Sequence, residues 1–232
     1  MIALGIETSG RTGSLAVGNE STILSSYAFP EGKRRARDLV PAVDRVLCDA
    51  AVAKADVDAV AVSQGPGSFT GLRIGVACAK TLAYALDWLC AGVPTLEVKV
   101  QNVDPDEWGC RVACPVQDAR RGKVYGTLFR WDGGWRDTTG VLCLPAAELA
   151  AQMPDGALVF GSGITANPEA FGATRLRIGP DELATARAEE VVRLGLARLR
   201  AGRHVEPMQL MPRYHRLTSP EEKLQTRSRA GQ

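Results

Sequence analysis

Residues 64–75 read Q-G-P-G-S-F-T-G-L-R-I-G, a combination of residue types that suits a turn able to hold an anion. A short apolar run precedes this stretch and a long amphipathic run follows it, which predicts a strand, a tight turn and a helix. Gly65 and Gly67 permit backbone angles that are closed to other residues. Ser68 or Thr70 can cap the helix by accepting a hydrogen bond from an N–H group at its start, and the remaining N–H groups there suit a phosphate.

The turn does not match the common nucleotide-binding or nucleophile motifs. It lacks the Gly-Lys-Ser/Thr of a Walker A loop, and Thr70 stands where G-x-G-x-x-G needs its third glycine. Pro66 and Thr70 flank Ser68 where a G-x-S-x-G nucleophile elbow needs glycines. A structural turn and a phosphate-binding turn therefore both stay open. Arg73 opposes the dipole of the predicted helix, so we expect a carboxylate or a bound anion as its partner.

Polar residues and glycines also follow other predicted strands. Residues 7–9 (E-T-S) end the first strand, Asp118 ends a strand of the second half, and residues 161–163 (G-S-G) follow a third. Ligands of open α/β sheets lie beyond the carboxyl ends of strands, so we expect these turns and the glycine turn to face one cleft. Asp118 can equally form an ordinary ion pair with Arg120 or Arg121. The predicted nucleotide- or phosphate-binding residues are Glu7, Thr8, Ser9, Gly65, Gly67, Asp118, Gly161 and Gly163.

The composition is that of an ordinary globular protein. The 232 residues carry a formal net charge of +2, with 45% hydrophobic and 23% charged side chains, so bulk charge gives no case for nucleic-acid binding. A strand-like run follows Met1 without a basic leader, and no apolar run approaches membrane-spanning length, so we expect a cytoplasmic protein without membrane contact. The six cysteines are then expected to be reduced. The C-x3-C pair of Cys110 and Cys114 has no histidine nearby, so a zinc site is not predicted.

The two halves of the chain repeat one order of predicted elements: strand, hairpin, helix, strand, glycine turn and helix. The predicted strands are 2–8, 14–18, 23–28, 57–63, 91–98, 111–117, 124–130, 136–143 and 157–160. The predicted helices are 38–52, 72–86, 145–153 and 188–201. The predicted domains are an N-terminal lobe at 1–105, a C-terminal lobe at 106–187, a helix-and-tail segment at 188–217 that returns to the N-terminal lobe, and a frayed tail at 218–232.

Four motifs make the chain resemble the TsaB family: I-A-L-G-I-E-T-S, Q-G-P-G-S-F-T-G-L-R-I-G, V-Q-D-A-R-R-G-K-V-Y and P-M-Q-L-M-P-R-Y-H-R. The resemblance implies an α/β, two-lobed actin-like fold (ASKHA, ribonuclease H-like). It also implies the bacterial machinery that places threonylcarbamoyl on adenosine beside the tRNA anticodon. In that machinery the chain would be a non-catalytic scaffold and activator of the TsaD paralogue, which transfers the group, and would work with the ATPase TsaE. Weak homodimerisation and tRNA contact through the complex are further expectations; no intrinsic cofactor is expected, and ATP or ADP is a candidate only at the partner interface.

Three departures from the family pattern bear on the chemistry. Glu7 stands where members commonly have Asp, which lengthens the carboxylate side chain by one methylene. Arg35 and Ala36 stand where the family often has His-Ser/Thr. The catalytic paralogue holds a metal through a His-x3-His helix, whereas the histidines of this chain are His204 and His215. A metal-assisted transfer site, and with it any metal ligand or catalytic residue, is therefore not expected.

The resemblance places the partner surface on the helices predicted at 38–52 and 72–86, whose small residues allow close packing. The predicted interface residues are Leu39, Val43, Leu47, Leu72, Val76, Ala79 and Ala83. These stripes can instead face the sheet. The alternative role is an independent ATP-dependent enzyme of the sugar-kinase or actin type, with Glu7 and Asp118 as its candidate carboxylates. A serine peptidase is disfavoured, because the sequence offers Ser68 neither an elbow nor a nearby base.

Overall fold

The computed structural model describes residues 1–30, 35–172 and 175–215, and the first half of the chain forms a five-stranded sheet. Its elements are β1 (Ala3–Glu7), β2 (Ser14–Gly18), β3 (Ile23–Ala28), α1 (Arg35–Asp49), a 3-10 turn (Lys54–Asp56), β4 (Ala59–Gly65), α2 (Phe69–Leu86) and β5 (Leu89–Pro94). Strands β1, β2 and β3 are antiparallel, whereas β4 runs parallel to β1 and β5 runs parallel to β4. The strand order is therefore β3-β2-β1-β4-β5, with β1 at the centre.

The second half forms a sheet of seven strands. Its elements are α3 (Thr95–Val100), β6 (Val112–Asp118), β7 (Lys123–Gly126), β8 (Phe129–Trp131), β9 (Trp135–Asp137), β10 (Leu142–Pro145), α4 (Ala146–Gln152), β11 (Leu158–Phe160), α5 (Ser162–Ala166), α6 (Pro168–Gly172), β12 (Arg177–Ile178), a 3-10 turn (Asp181–Ala184), α7 (Ala188–Arg200) and a 3-10 turn (Pro207–Gln209). The main path is β10-β7-β6-β11-β12, and the β8–β9 hairpin branches from β6.

Both sheets use the same plan. Two antiparallel neighbours follow the first strand of each half, and two later strands add on its other side in parallel. This repetition confirms the predicted two-lobed, actin-like α/β fold with its duplicated element order. Within the described ranges, no helix is both long and apolar enough to cross a membrane.

The central strands of the first sheet carry large side chains on one face and small ones on the other, because successive side chains of a strand alternate. Leu4 and Ile6 of β1 pack with α1 and α2 in one core cluster, whereas Ala3 packs with α7 in another. The small face lets α7 approach closely: a Cβ added to Gly5 would lie 2.5 Å from the carbonyl oxygen of Ala188. The lobe is thus a sheet sandwiched between two helical layers.

Three predicted strands are wrong in part. The strand predicted at 91–98 ends at Pro94, and residues 95–100 form α3 instead. The run T-L-E-V-K-V alternates like a strand, but α3 lies between two core clusters and buries both Leu96 and Val98 in them. The hairpin predicted from 124–130 and 136–143 is divided into four short strands.

Helix α1 begins earlier than predicted and ends earlier too, at Asp49 rather than at residue 52. Pro41, predicted near its start, therefore lies inside the helix, where it removes one backbone hydrogen bond. Pro41 is exposed, so its ring lies on the water-facing side of the helix.

Candidate functional site

Glu7 is a fully buried carboxylate at the carboxyl end of β1. One of its oxygens accepts hydrogen bonds from the backbone N–H and the hydroxyl of Ser9, at 2.5 and 2.6 Å. The other accepts a hydrogen bond from the hydroxyl of Ser63, which lies on the neighbouring parallel strand β4. These charge-assisted bonds satisfy the carboxylate inside the protein. Glu7 is thus held as a buried structural acceptor at the base of the lobe.

Thr8 and Ser9 attach the end of β1 to the start of α2. The Thr8 hydroxyl donates to the carbonyl oxygen of Gly71 at 2.8 Å, and the Ser9 carbonyl accepts from the N–H of Ser68 at 2.8 Å. Cβ atoms added to Gly71 and Gly75 would overlap the carbonyl oxygen and the hydroxyl of Thr8. Strand and helix therefore approach more closely than any residue but glycine permits.

The glycines of the 64–75 turn are explained by contacts within the chain. Gly65 has a φ of 114° and precedes a cis peptide bond to Pro66; an added Cβ there would lie 2.9 Å from the carbonyl oxygen of Arg213. An added Cβ at Gly67 would lie 2.6 Å from the Cβ of Ser9. Both glycines thus allow close packing of the protein against itself.

Ser68 caps α2, since its hydroxyl accepts a hydrogen bond from the N–H of Gly71 at 3.2 Å. This decides between the two predicted capping residues, Ser68 and Thr70. The expected partner of Arg73 is wrong: its Nε donates to the phenol oxygen of Tyr214 at 2.9 Å, and its guanidinium lies 3.9 Å from the ring centroid of Phe69. An aromatic pair thus takes the place of the expected carboxylate or anion.

The segment after α7 runs back along α2 to the glycine turn. Leu210 is fully buried in the core of the first lobe. Gln64 holds the segment on both sides, accepting from the N–H of Arg213 at 2.8 Å and donating its side-chain amide to the carbonyl of Met211 at 2.9 Å. The sequence predicts that the segment at 188–217 returns to this lobe, but the individual contacts could not be predicted, because the segment has no periodic apolar pattern.

The second lobe presents Asp118 and the two glycines after β11. Asp118 accepts a hydrogen bond from the N–H of Arg120 at 2.8 Å and lies 3.6 Å from its Nε, so the ion pair considered as an alternative is formed. Gly161 has a φ of 116°, and a Cβ there would overlap the carbonyl oxygen of Val116. Gly163 lies against the same valine.

A cleft of about 970 Å³ separates the two lobes. Of the eight predicted binding residues, Ser9, Gly67 and Asp118 line this cleft; Glu7, Thr8, Gly65, Gly161 and Gly163 are absent from its lining. The predicted convergence of turns is therefore partly present, although five of the eight named residues do not line the cleft. Ser162 of the predicted 161–163 turn also lines the cleft. Sequence reasoning missed further polar side chains of the lining: Arg11, Lys99, Gln117 and Tyr125.

Lys99 is the buried cation of this lining, with 8% of its surface exposed. Its Nζ donates to Oε1 of Gln117 at 2.8 Å. Burial lowers the pKa of Lys99 to about 8, because water no longer stabilises the ammonium, and the nearby Glu7 carboxylate opposes this shift. A cleft residue with this environment is a candidate for ligand contact. His215 lies with its ring 6.3 Å from that of Tyr125, and burial together with Arg213 lowers its pKa.

The seven predicted interface residues are buried within this chain. Each has at most 3% of its surface exposed. All of them except Leu72 belong to the core cluster of the first lobe. The prediction therefore names the inward faces of α1 and α2. The outward face of α2 carries instead a stripe of exposed residues: Thr70, Arg73, Ala77, Thr81 and Tyr84.

Cysteines and histidines of the described ranges do not gather with carboxylates into a group of three that could hold a metal ion. Cys110 and Cys114 are both buried and belong to different core clusters. Burial raises the pKa of Cys114 to about 12, which marks it as an inert thiol.

Comparison with known proteins identifies relatives across nearly the whole length. The family model described as "TsaD: tRNA N6-adenosine threonylcarbamoyltransferase" matches residues 29–159. The protein named tRNA threonylcarbamoyladenosine biosynthesis protein TsaB of Bacillus subtilis is 37% identical over 134 residues, which are 58% of this chain and 57% of that protein. Its namesake in Escherichia coli is 29% identical over 220 residues, which are 90% of this chain and 94% of that protein.

A solved structure supports the same placement. YeaZ from Pseudomonas aeruginosa superposes with a TM-score of 0.81 at 28% sequence identity, over 92% of this chain and 99% of that chain. The family model covers more than half of the chain, and relatives in sequence and in structure agree with it. The chain therefore belongs to the family that the TsaD model describes and, within it, to the TsaB proteins.

Proposed function

We propose that this protein takes part in forming threonylcarbamoyladenosine in tRNA, as a non-catalytic scaffold and activator subunit that pairs with its TsaD paralogue. The names of its TsaB relatives support the role in this modification. The match to the TsaD family model supports pairing between two chains of like fold, since related chains commonly associate through corresponding surfaces.

The observation that carries the proposal is the outward face of α2. Tyr84 is 75% exposed and Phe69 47% exposed at the two ends of the helix, whereas Ala77 and Thr81 between them are small. Large exposed apolar groups on a soluble protein mark contact surfaces, and small residues between them let a second helix approach. A partner helix seated here would bury both aromatic rings.

The C-terminal segment enlarges this face. Tyr214 lies 5.1 Å from the Phe69 ring, and the nearby Met208 and Met211 are 68% and 58% exposed. Methionine side chains adapt to irregular partner surfaces. We therefore place the centre of the contact on α2 and this segment, and its margin on the exposed residues of α1, such as Val40.

The test is complex formation between the full chain and its TsaD paralogue, followed by gel filtration and calorimetry. Ala77→Arg places a long charged side chain at the centre of the stripe and should weaken the complex by at least about tenfold, or about 1.4 kcal/mol. The matched control is Ala197→Arg, at an alanine that is also exposed, on α7, which packs on the opposite face of the sheet. Equal affinity of both variants would place the contact elsewhere, and absence of any complex with the unmodified chain would end the scaffold proposal.

In the same proposal, TsaE joins the assembly, tRNA is contacted through the complex, the chain alone dimerises weakly, and ATP or ADP binds at the partner interface. The separate enzyme role of the sugar-kinase or actin type is less well supported, because Glu7 is engaged with Ser9 and Ser63. A reconstitution with tRNA and the threonylcarbamoyl-adenylate donor separates the roles. Modified adenosine should form only when the paralogue is present; its formation by the isolated chain would refute the non-catalytic role.

A further inference from the structure

Glu7 and Lys99 are the two charged side chains that are buried among the described residues. The hydrogen bonds to Glu7 come from Ser9 and Ser63, so its charge is accounted for inside the protein. Lys99 differs. Its ammonium has three N–H donors, and Gln117 Oε1 takes one of them. In the described part of the chain it forms no direct ion pair.

An ammonium that is removed from water costs free energy unless acceptors replace its hydration. Lys99 and Gln117 both line the cleft between the lobes, so the ammonium lies at the wall of this cleft. That cleft is wide enough, at about 970 Å³, for a small organic molecule. The missing acceptors can therefore come from a bound group.

The charge of the lining favours an anion. Arg11, Lys99 and Arg120 are its basic side chains, and Asp118 is its acidic one, already paired with Arg120. The N-terminus of the 18-residue helix α2 also opens on the cleft, and the first N–H groups of a helix have no partner within it. Even with the buried Glu7 behind Lys99, the positive charges outnumber the negative ones.

We propose that the cleft binds a small organic molecule through a carboxylate or phosphate group, which accepts a hydrogen bond from the Nζ of Lys99. Gln117 acts as a positioning residue that holds the ammonium toward the cleft. The bound oxyanion supplies a further hydrogen-bond acceptor for Lys99 and is attracted electrostatically by Arg11 and the N-terminus of α2. This site lies between the lobes and shares Phe69 with the surface proposed for the partner.

The experiment is acetylation of the full chain with an N-hydroxysuccinimidyl ester at fixed pH and ionic strength, with each lysine followed by mass spectrometry. Inorganic phosphate, malonate and AMP are the probes, and chloride supplies the remaining ionic strength. A probe at about ten times its Kd should slow acetylation of Lys99 about tenfold and leave Lys80, a half-buried lysine of α2, unchanged. Protection by AMP but not by phosphate or malonate would assign the anion to a nucleotide; protection by malonate would assign it to a carboxylate.

The same probes should raise the melting temperature of the unmodified chain and of Lys99→Arg, but not of Lys99→Met. Unchanged acetylation of Lys99 with all three probes, or equal slowing at Lys80, would overturn the proposal and leave Lys99 as an internal counter-charge of Glu7. The measurement uses the chain without its paralogue. Failure of the anion site and failure of the scaffold role are therefore distinguishable.

Discussion

The contact between Thr8 and Gly75 allows a prediction about the stability effect of Gly75→Ala. This substitution should destabilise the unmodified protein, but not a variant that lacks the Thr8 hydroxyl. A Cβ added to Gly75 would overlap the hydroxyl oxygen of Thr8, while the next contacts, 3.3 Å to Thr8 Cβ and 3.5 Å to Ile6 Cγ2, are tolerable. The obstruction is therefore a single atom. The Thr8 side chain cannot turn away without breaking its hydrogen bond to the carbonyl of Gly71.

Two opposing effects set the size of the change. Alanine within a helix is more favourable than glycine by about 1 kcal/mol. Overpacking a rigid site costs about 1–3 kcal/mol, and the short branched side chain of Thr8 places this site near the upper end. Gly75→Ala should therefore destabilise the protein by about 1–2 kcal/mol. Thr8→Ala should cost about 1 kcal/mol through the lost hydrogen bond.

The double variant separates this reasoning from a general intolerance of change. Once Thr8→Ala has removed the hydroxyl, Gly75→Ala should become neutral or stabilising, so the two substitutions couple by about 2 kcal/mol. Urea unfolding of the unmodified chain, the two single variants and the double variant gives the four free energies of unfolding, provided that the dependence on urea concentration has the same slope in each. Gly134→Ala is the control, because a Cβ there meets open space. Additive effects of the two substitutions, or a neutral Gly75→Ala, would refute the close-packing account of α2.

Three further predictions concern charge and reactivity. Lys99 has a pKa of about 8 in the folded protein, below its ordinary 10.5, so the unfolded chain binds more protons between these two pH values. The free energy of unfolding of the unmodified chain, measured with urea, should therefore rise relative to that of Lys99→Met from pH 8 to 10.5. Arg198 and Glu97 form a largely buried bidentate pair between α7 and α3, so Glu97→Ala should cost about 1–3 kcal/mol and Arg198→Ala should add little on top of it. In native alkylation followed by mass spectrometry, exposed Cys48 should react first and Cys114 only upon unfolding, since burial raises the Cys114 pKa to about 12.

The strands of the first lobe could be predicted because their sequence satisfies two constraints at once. The alternation of large and small apolar residues in β1 and β4 encodes both the strand and the two different layers that cover it. The strands predicted at 14–18 and 23–28 agree with the structure to the residue. The cap at Ser68 was also predictable, because it depends on residues close in sequence.

Long-range contacts could not be read in the same way. Gln64 and Arg73 find their partners about 140 residues away in the chain, in a segment without periodicity. The glycines that suggested a phosphate cradle instead admit other parts of the same backbone, as Gly67 does for Ser9. A glycine indicates only that another group packs close to the backbone, and the sequence does not show whether that group belongs to a ligand or to the protein itself.

Lys99 illustrates the same limit from the opposite side. In the alternating run of α3 a lysine suggests the solvent face of a strand, and only the change from strand to helix turns it inward. The helix forms because Leu96 and Val98 must reach separate cores, which a strand with the same spacing would place on one face. That packing choice carries Lys99 to the cleft and brings its Nζ within 2.8 Å of Oε1 of Gln117, on β6, the first strand of the second sheet. The most chemically distinctive side chain of the cleft is therefore positioned by how the two lobes join, which no local pattern records.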